Sequence, residues 1–288
     1  MNKLPFLIFI SLIFIGLSCD KIDAPYTTTG GNNNLTSDTV RKVLLEDFTG
    51  HRCTNCPTAH KIAADLHQLY GDQLIIVAIH AGYFANPQNP PYDYDYRTTE
   101  GTSLFNFFGA QSTPIGMVNR TKQTNGGFLI DKGAFATEVS KQIDSLSIKP
   151  DLYIYLNPTF NQADSTLSLD TEVTFLKNMP TGKYNLCIMI TESGMISPQY
   201  NNNPSIGSEP EILDYEHKHV LRGMVSPTFG DEILDGLPSL NQPIVKNYAS
   251  YKFGSDWKPE NCEIVAFVYY ADGPKINQII QAQEVSVK

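Results

Sequence analysis

The sequence predicts an α/β domain followed by an all-β domain. Between residues 43 and 79, a buried strand, an amphipathic helix and a second buried strand follow one another, which is the order of a βαβ unit with parallel strands. Beyond residue 150, apolar side chains recur at every second position, as in antiparallel strands with one buried face. We therefore place the α/β domain at 40–149 and the all-β domain at 150–288.

The first residues have the composition of an export signal. Lys3 precedes an apolar run from Leu4 to Leu17, and Ser18-Cys19 close it before the chain becomes polar. A run of about 14 apolar residues is shorter than the ~20 that a membrane-spanning helix needs. We predict a signal peptide at 1–18 and, from the Gly, Asn, Thr and Ser that follow, a flexible tether at 19–39.

The cysteine at the end of this apolar run resembles the lipobox cysteine of bacterial lipoproteins. In those proteins the cysteine at the first polar boundary is acylated and becomes the first residue of the mature chain. The resemblance implies lipidation of Cys19. The mature chain would then be attached to a membrane by acyl chains.

The charge of the chain argues against nucleic acid as a partner. The sequence has 21 Lys and Arg and 30 Asp and Glu, and residues 1–18 contain one Lys and no acid, so the mature balance is 20 − 30 = −10. An acidic chain repels phosphate backbones, and basic residues are nowhere clustered enough to reverse this repulsion.

Apolar spacing predicts each element of the α/β domain. The runs at 43–48 and 74–79 are the two buried strands. Three-and-four spacing predicts the helix between them, with Ala59, Ile62, Ala63, Leu66, Leu69 and Tyr70 on its buried face. A Pro-rich insertion at 86–96, a helix ending at Phe108, a strand at 115–118 and an amphipathic helix at 135–146 complete the domain.

Alternation and turn signals predict the strands of the all-β domain. These strands lie at 152–156, 167–169, 173–175, 184–190, 264–270 and 276–287, and turn residues at 179–182 and 271–274 separate some of them. The pattern resembles an immunoglobulin-like sandwich. Residues 193–250 are weakly periodic and give no assignment.

A C-x-x-C motif, Cys53 to Cys56, follows the first buried strand and precedes the helix. We expect Cys53 at the helix N-terminus, where unpaired N–H groups, the helix dipole and the basic His51 and Arg52 favour the thiolate. Cys56 would be the shielded resolving partner. A structural zinc site would need a second cysteine pair, and the remaining Cys187 and Cys262 lie 75 residues apart in the other domain.

Residues 47–56 (DFTGHRCTNC) resemble the strand, loop and active site of thioredoxin-like proteins. Thr113-Pro114 resembles the cis-proline loop that receives the substrate peptide in that family. The resemblance implies catalytic roles for Cys53, Cys56 and Pro114, and a proton-accepting role for Asp47. Glu46 is the alternative proton acceptor, because strand alternation lets only one of the two carboxylates point toward the helix.

The whole chain resembles a more specific group, the twenty-eight-kilodalton outer-membrane-protein family of lipoproteins of the Bacteroides lineage. The resemblance rests on the lipobox, the CxNCP motif and three segments: residues 117–120 (MVNR), 219–222 (HVLR) and 261–267 (NCEIVAF). It implies an outer-membrane location, facing the periplasm or the cell surface. Members of this family are often described as adhesins or receptors.

Three further groups of residues have two interpretations each. Cys187 and Cys262 are either a disulfide across the sandwich or two buried thiols. His217 and His219 lie two apart, which on a strand would put both on one face as metal ligands; we interpret them instead as a solvated or hydrogen-bonded pair and predict no metal. Tyr92, Tyr94 and Tyr96 are either a recognition surface beside the cysteines or part of an ordinary loop insertion.

The sequence supports two functions from different classes. The first is a cell-envelope thiol–disulfide oxidoreductase that acts on the cysteines of exported proteins without a bound cofactor. The second is a surface binding or adhesion module in which the C-x-x-C disulfide is structural. The sequence leaves the oligomeric state undetermined.

Overall fold

The computed structural model describes residues 40–144 and 149–288. The predicted signal peptide, the tether and Cys19 lie outside the described residues. Three helices longer than one turn and thirteen strands occur within the described part. In chain order they are β1 Val43–Thr49, α1 Cys56–Tyr70, β2 Leu74–His80, α2 Thr99–Phe107, β3 Ile115–Val118, α3 Phe135–Asp144, β4 Leu152–Asn161, β5 Thr166–Phe175, β6 Gly182–Glu192, β7 Met195–Tyr200, β8 Glu211–His217, β9 Val220–Met224, β10 Asp231–Gly236, β11 Pro243–Lys252, β12 Cys262–Tyr270 and β13 Ile279–Ser286.

The βαβ unit forms as the apolar spacing predicts. β1 and β2 are parallel neighbours, with Asp47 opposite Ala78, and every residue of both strands is buried. α1 begins at Cys56, has a proline in its first turn, where the missing N–H costs little, and ends at Gly71 with φ 55°. β3 pairs antiparallel with the other edge of β1. α1 and α3 pack on one face of these strands, around Val43, Leu45 and Phe135.

One sheet contains strands from both sides of residue 150. Its order is β13-β12-β6-β9-β2-β1-β3, and β10 also pairs with β6. The junction is the parallel pairing of β2 with β9 at Ala78 and Val220. Strands from before and after the predicted boundary at residue 150 therefore pair within one sheet.

A second sheet, β11-β5-β4, covers part of this large sheet. Alternate residues of β6 and β12 face opposite cores: Ile188 and Ile264 pack against the small sheet, whereas Met189 and Val265 pack toward α2 and β2. The β-rich character predicted beyond residue 150 is confirmed. The unassigned stretch contains β7 to β11, and β7 and β8 form a separate two-stranded ribbon.

Candidate functional site

The C-x-x-C cysteines form a disulfide in the turn between β1 and α1. Cys53 and Cys56 are bonded, with their Cα atoms 5.4 Å apart. The helix begins later than the sequence predicted: Cys56, and not Cys53, is its first residue, and the Cys56 N–H donates to the Cys53 carbonyl over 3.2 Å. The residues between the cysteines, Thr54 and Asn55, are exposed, but Cys53 is only 2% exposed and Cys56 is fully buried.

A loop after β2 covers one side of the disulfide turn. The Arg52 N–H donates to the Phe84 carbonyl (3.1 Å), and the Arg52 side chain donates to the carbonyls of Asn86 (2.9 Å) and Tyr83 (2.6 Å). Gly50 is required here, because a Cβ at this position would lie 2.5 Å from the Phe84 carbonyl carbon. The Arg52 guanidinium is therefore held by this loop.

The other side is covered by residues 199–203, which we call the cap segment. The Tyr200 N–H donates to the His51 carbonyl (2.8 Å), and the Asn202 N–H donates to the Thr54 carbonyl (3.2 Å). The buried Gln199 amide donates to the carbonyls of Cys53 (3.0 Å) and Gly50 (3.3 Å). The backbone of the disulfide turn is thus bonded to a segment from the C-terminal half of the chain.

The structure separates the two candidate carboxylates. Glu46 accepts two hydrogen bonds from the Arg120 guanidinium, at 2.7 and 2.8 Å, and both side chains are buried on the face of β1 opposite α1. Asp47 points to the α1 side, is 1% exposed and accepts no hydrogen bond from the described residues. Burial alone raises the pKa of Asp47 well above its ordinary value.

His60, one helical turn after Cys56, is a site residue that the sequence reasoning missed. Its Nε2 lies 3.8 Å from Asp47 Oδ2 and 2.8 Å from Thr49 Oγ1, and its Nδ1 lies 2.8 Å from the Tyr215 hydroxyl. Burial lowers the pKa of His60 to about 4, so the ring is neutral at pH 7. The i to i+4 spacing from Cys56 was a sequence signal for His60. Tyr215 comes from β8 and had no local signal.

A cavity of about 290 Å³ lies beside this group. Asp47, Pro57, His60 and Tyr215 line it, together with the exposed Lys61 and Lys218, so the cavity opens to solvent. A proton on Asp47 therefore has a route to water that does not pass through the disulfide.

Pro114 lies at the level of the disulfide turn. The Thr113-Pro114 bond is cis, as the resemblance implied. In the antiparallel pairing of β1 with β3, Phe48 is opposite Ile115, so Pro114 follows next in register at the level of Thr49. The catalytic candidates therefore gather at one end of β1, with the exception of Glu46.

The prediction that a cationic His51 favours the Cys53 thiolate is wrong. The ring is buried, stacks on Tyr92 with 5.7 Å between ring centroids, and has its pKa lowered to about 4, first by burial and then by Arg52. Tyr92 and Tyr96 are themselves buried, and Tyr96 stacks on His80. These two tyrosines form part of the packing under the site and not a recognition surface.

The disulfide between Cys187 and Cys262 does not form. Both are free buried thiols, and burial raises the pKa of each to about 12. The β6–β12 register pairs Cys187 with Phe267 and Cys262 with Glu192, so the two lie five positions apart. At about 3.4 Å per residue that is roughly 17 Å, whereas a disulfide needs Cα atoms within about 7 Å.

His217 and His219 do not share a face. β8 ends at His217, whose ring packs on Tyr96 and His80. His219 follows in the left-handed conformation, with φ 53°, and lies 4.0 Å from the Glu263 carboxylate. A turn between the strands breaks the alternation that the sequence reasoning assumed.

A protein-family model described as "Outer membrane protein Omp28" matches residues 102–288. The chain belongs to this family. The resemblance seen in the sequence is thereby confirmed, and membership assigns the Omp28 chain to the outer membrane. The matched range contains Pro114 and Arg120 and begins after the C-x-x-C motif.

Two solved structures share the fold at low sequence identity. The structure titled "HBP35 of Porphyromonas gingivalis" matches with a TM-score of 0.64 and 15% identity, covering 86% of this chain and 76% of that one. Protein AGR_C_4864 from Agrobacterium tumefaciens matches with a TM-score of 0.51 and 11% identity, covering 86% and 96%. A domain of the outer membrane lipoprotein Omp28 from Porphyromonas gingivalis is 16% identical over 48% of this chain and 89% of that one, with a TM-score of 0.30. No curated protein sequence matches the chain.

None of the described helices combines the length and the apolar character needed to cross a bilayer.

Proposed function

We propose that this Omp28-family chain is a thiol–disulfide oxidoreductase of the cell envelope. In this proposal residues 40–149 are a thioredoxin-like unit, the strands beyond residue 150 carry an immunoglobulin-like sandwich, and Cys19 holds the chain to the outer membrane by lipid. The substrates are exported proteins that contain cysteines or disulfides.

The observation that carries the proposal is the buried, unpartnered carboxyl of Asp47 behind the Cys53–Cys56 turn. A buried carboxyl without hydrogen bonds is destabilising for the fold, and such perturbed groups are enriched at catalytic sites. Its raised pKa suits proton exchange near neutral pH. The Glu46 carboxylate lies instead on the opposite face of β1 and is held by two hydrogen bonds from Arg120.

In the reducing direction, the Cys53 thiolate attacks one sulfur of a substrate disulfide. The substrate S–S bond breaks, and a mixed disulfide forms while the leaving sulfur takes up a proton. Asp47 then accepts the proton of the Cys56 thiol, and the Cys56 thiolate attacks Cys53 Sγ. The bond between Cys53 and the substrate sulfur breaks, and that sulfur leaves as a thiolate and takes up a proton. The Cys53–Cys56 disulfide re-forms, so two electrons pass from the protein to the substrate. The oxidising direction is the reverse of these steps.

A trapping experiment tests the proposal. In the mature chain, Cys56→Ser should accumulate mixed disulfides between Cys53 and envelope proteins, and Cys53→Ser/Cys56→Ser is the matched control without a nucleophile. The Cys53 thiol of Cys56→Ser should titrate below the ordinary ~8.5. An ordinary pKa of the Cys53 thiol together with no trapped partner would refute the proposed enzymatic function.

The role of Asp47 has its own readout. Asp47→Asn should leave the attack by Cys53 unchanged and slow the release of a preformed mixed disulfide by about 100-fold or more, because general acid–base catalysis typically contributes factors of this size. Equal release rates in the two proteins would mean that Asp47 does not exchange the proton.

A second function is favoured by the burial of the cysteines. With Cys53 2% exposed and the cap segment bonded to its carbonyl, the disulfide is also placed to hold the surface of a binding module. A structural disulfide should have a reduction potential below about −300 mV, trap no partner and lower the melting temperature when reduced. A higher potential with trapping supports the oxidoreductase.

The lipid attachment is tested separately. Wild-type cells should incorporate labelled palmitate into the protein, and Cys19→Ala should abolish this label while leaving synthesis of the chain intact. Undiminished labelling of Cys19→Ala would refute the anchor.

A further inference from the structure

His219, Glu263 and Glu284 bring three metal-ligating side chains together, and His219 also lines the cavity beside Asp47 and His60. One nitrogen or oxygen atom from each lies within 4.8 Å of the other two. The residues come from the turn before β9, from β12 and from β13, so only the folded sheet assembles them. We propose that this cluster is a site for a first-row divalent cation of the Zn²⁺ class.

The backbone fixes the imidazole before any ion binds. The His219 N–H donates to Ser193 Oγ over 2.9 Å, and its carbonyl accepts from the Ala78 N–H over 2.8 Å. Both bonds hold the left-handed turn, with φ 53°, and thereby set where the ring can point. Ligands held in this way form a preorganised site.

The ligand atoms lack other partners. His219 Nδ1 and Glu284 Oε1 are buried and accept or donate no hydrogen bond among the described residues. Glu284 lies against Glu263, and the two carboxyls share a hydrogen bond through the proton that one of them carries. Two carboxyls in contact repel each other once ionised, and a divalent cation between them removes the repulsion.

No described Lys or Arg forms an ion pair with either glutamate. Lys218 pairs instead with Glu216 at 3.0 Å, and the Lys42 ammonium, whose charge favours the ionised form of Glu284, donates its hydrogen bond to the Gln283 amide oxygen. Within residues 40–144 and 149–288, the charged-group contact of Glu263 is with the imidazole of His219 at 4.0 Å, which is an ion pair only when that ring is protonated. The cluster therefore has negative charge to offer an ion.

The donor set selects the metal. One imidazole nitrogen and two carboxylate oxygens suit Zn²⁺, which binds both at 2.0–2.2 Å, so its tetrahedral ligands stand about 3.4 Å apart. Closing from 4.8 Å requires side-chain movements of about 1 Å by the two glutamates. The ring centroid of His67 lies 6.1 Å from that of His219. The Nδ1 atom of His67 is already hydrogen-bonded to the Leu74 carbonyl over 2.9 Å.

Calorimetric titration of ZnCl₂ into the oxidised, chelator-treated mature chain tests the proposal. We expect one equivalent bound by wild type and by Glu260→Gln, a charge-matched control on an exposed neighbour. His219→Asn keeps a residue that tolerates positive φ while removing the imidazole. His219→Asn and Glu284→Gln should each weaken binding at least tenfold, since even residues behind a ligand are worth 10–100-fold.

Glu284→Gln keeps the test independent of folding, because it removes a repulsion and should not destabilise the chain. Its melting temperature should no longer rise with Zn²⁺, whereas that of wild type should. Less than one equivalent bound by wild type, or less than tenfold weakening in both variants, would overturn the site. Neither outcome bears on the Cys53 trapping experiment.

Discussion

Replacing Glu46 by Gln should destabilise the protein by about 3–5 kcal/mol, the range measured when one partner of a buried ion pair is removed. The structure supports this magnitude. Glu46 and Arg120 are both fully buried and joined by two hydrogen bonds of 2.7 and 2.8 Å. Charge-assisted hydrogen bonds contribute about 1.5–3 kcal/mol each, so two give about 3–6 kcal/mol.

Because of the aromatic rings around Arg120, we expect the loss of unfolding free energy in Glu46→Gln to lie near the lower end of the range of about 3–5 kcal/mol. Its guanidinium carbon lies 4.8 Å from the centroid of Phe267 and 5.0 Å from that of Phe108, and these cation–π contacts survive the substitution. The remaining charge nevertheless stays in an apolar core without a counterion. The double change Glu46→Met/Arg120→Met should recover most of the loss, because neither charge is then buried.

Urea unfolding, followed by the fluorescence of the single tryptophan, Trp257, measures the effect. The free energy of unfolding should fall for Glu46→Gln and not for Asp47→Asn, the same chemical change at the next residue. A loss below 1 kcal/mol for Glu46→Gln would refute the view that this pair is structural and would return Glu46 to the catalytic candidates.

Three further substitutions have expected outcomes. The pKa of Asp47 is raised in the folded protein, so the stability that this carboxyl contributes is full below its unfolded pKa and is lost as the pH rises through the folded value. The urea midpoint of Asp47→Asn should therefore rise relative to wild type as the pH increases above about 4, the ordinary pKa of Asp. The pKa of Glu284, beside Glu263, Asp72 and Lys42, is raised in the same direction, to about 8. The stability of wild type should therefore fall between pH 5 and 8, and Glu284→Gln should flatten this fall. Gly50→Ala should lower the unfolding free energy by about 1–3 kcal/mol through the clash with Phe84, and an unchanged urea midpoint would contradict the packing.

Local periodicity predicted the elements at the start of the chain because burial there repeats over short distances. β1, α1 and β2 occur within a few residues of their expected bounds, and Ala59 and Ala63 are buried as predicted. Leu69 is an exception, being 70% exposed near the end of α1. Periodicity gives the face of a helix but not how far along the helix its packing partner extends.

Strand order could not be predicted, because nothing local encodes it. β9 pairs with β2 through a single residue pair, although 142 positions separate Ala78 from Val220. The choice between Glu46 and Asp47 as proton acceptor depended on which face of strand β1 is covered by helix α1. The two carboxylates that lie near His219 come 44 and 65 residues further along the chain, so the local spacing of His217 and His219 could not indicate them.

The choice between the two candidate functions depends on the free energy needed to move the cap segment away from the disulfide turn. Five hydrogen bonds join it to the disulfide turn: one each from Tyr200 N, Asn202 N and Asn202 Nδ2, and two from Gln199 Nε2. At about 0.5–1.5 kcal/mol each, breaking them costs about 2.5–7.5 kcal/mol, so roughly one molecule in 70 to one in 3 × 10⁵ would expose Cys53 at a given moment. Near the first limit the disulfide exchanges at a useful rate, whereas near the second it is in practice structural. A partner that binds the cap segment would then regulate the chemistry of Cys53 from the C-terminal half of the chain.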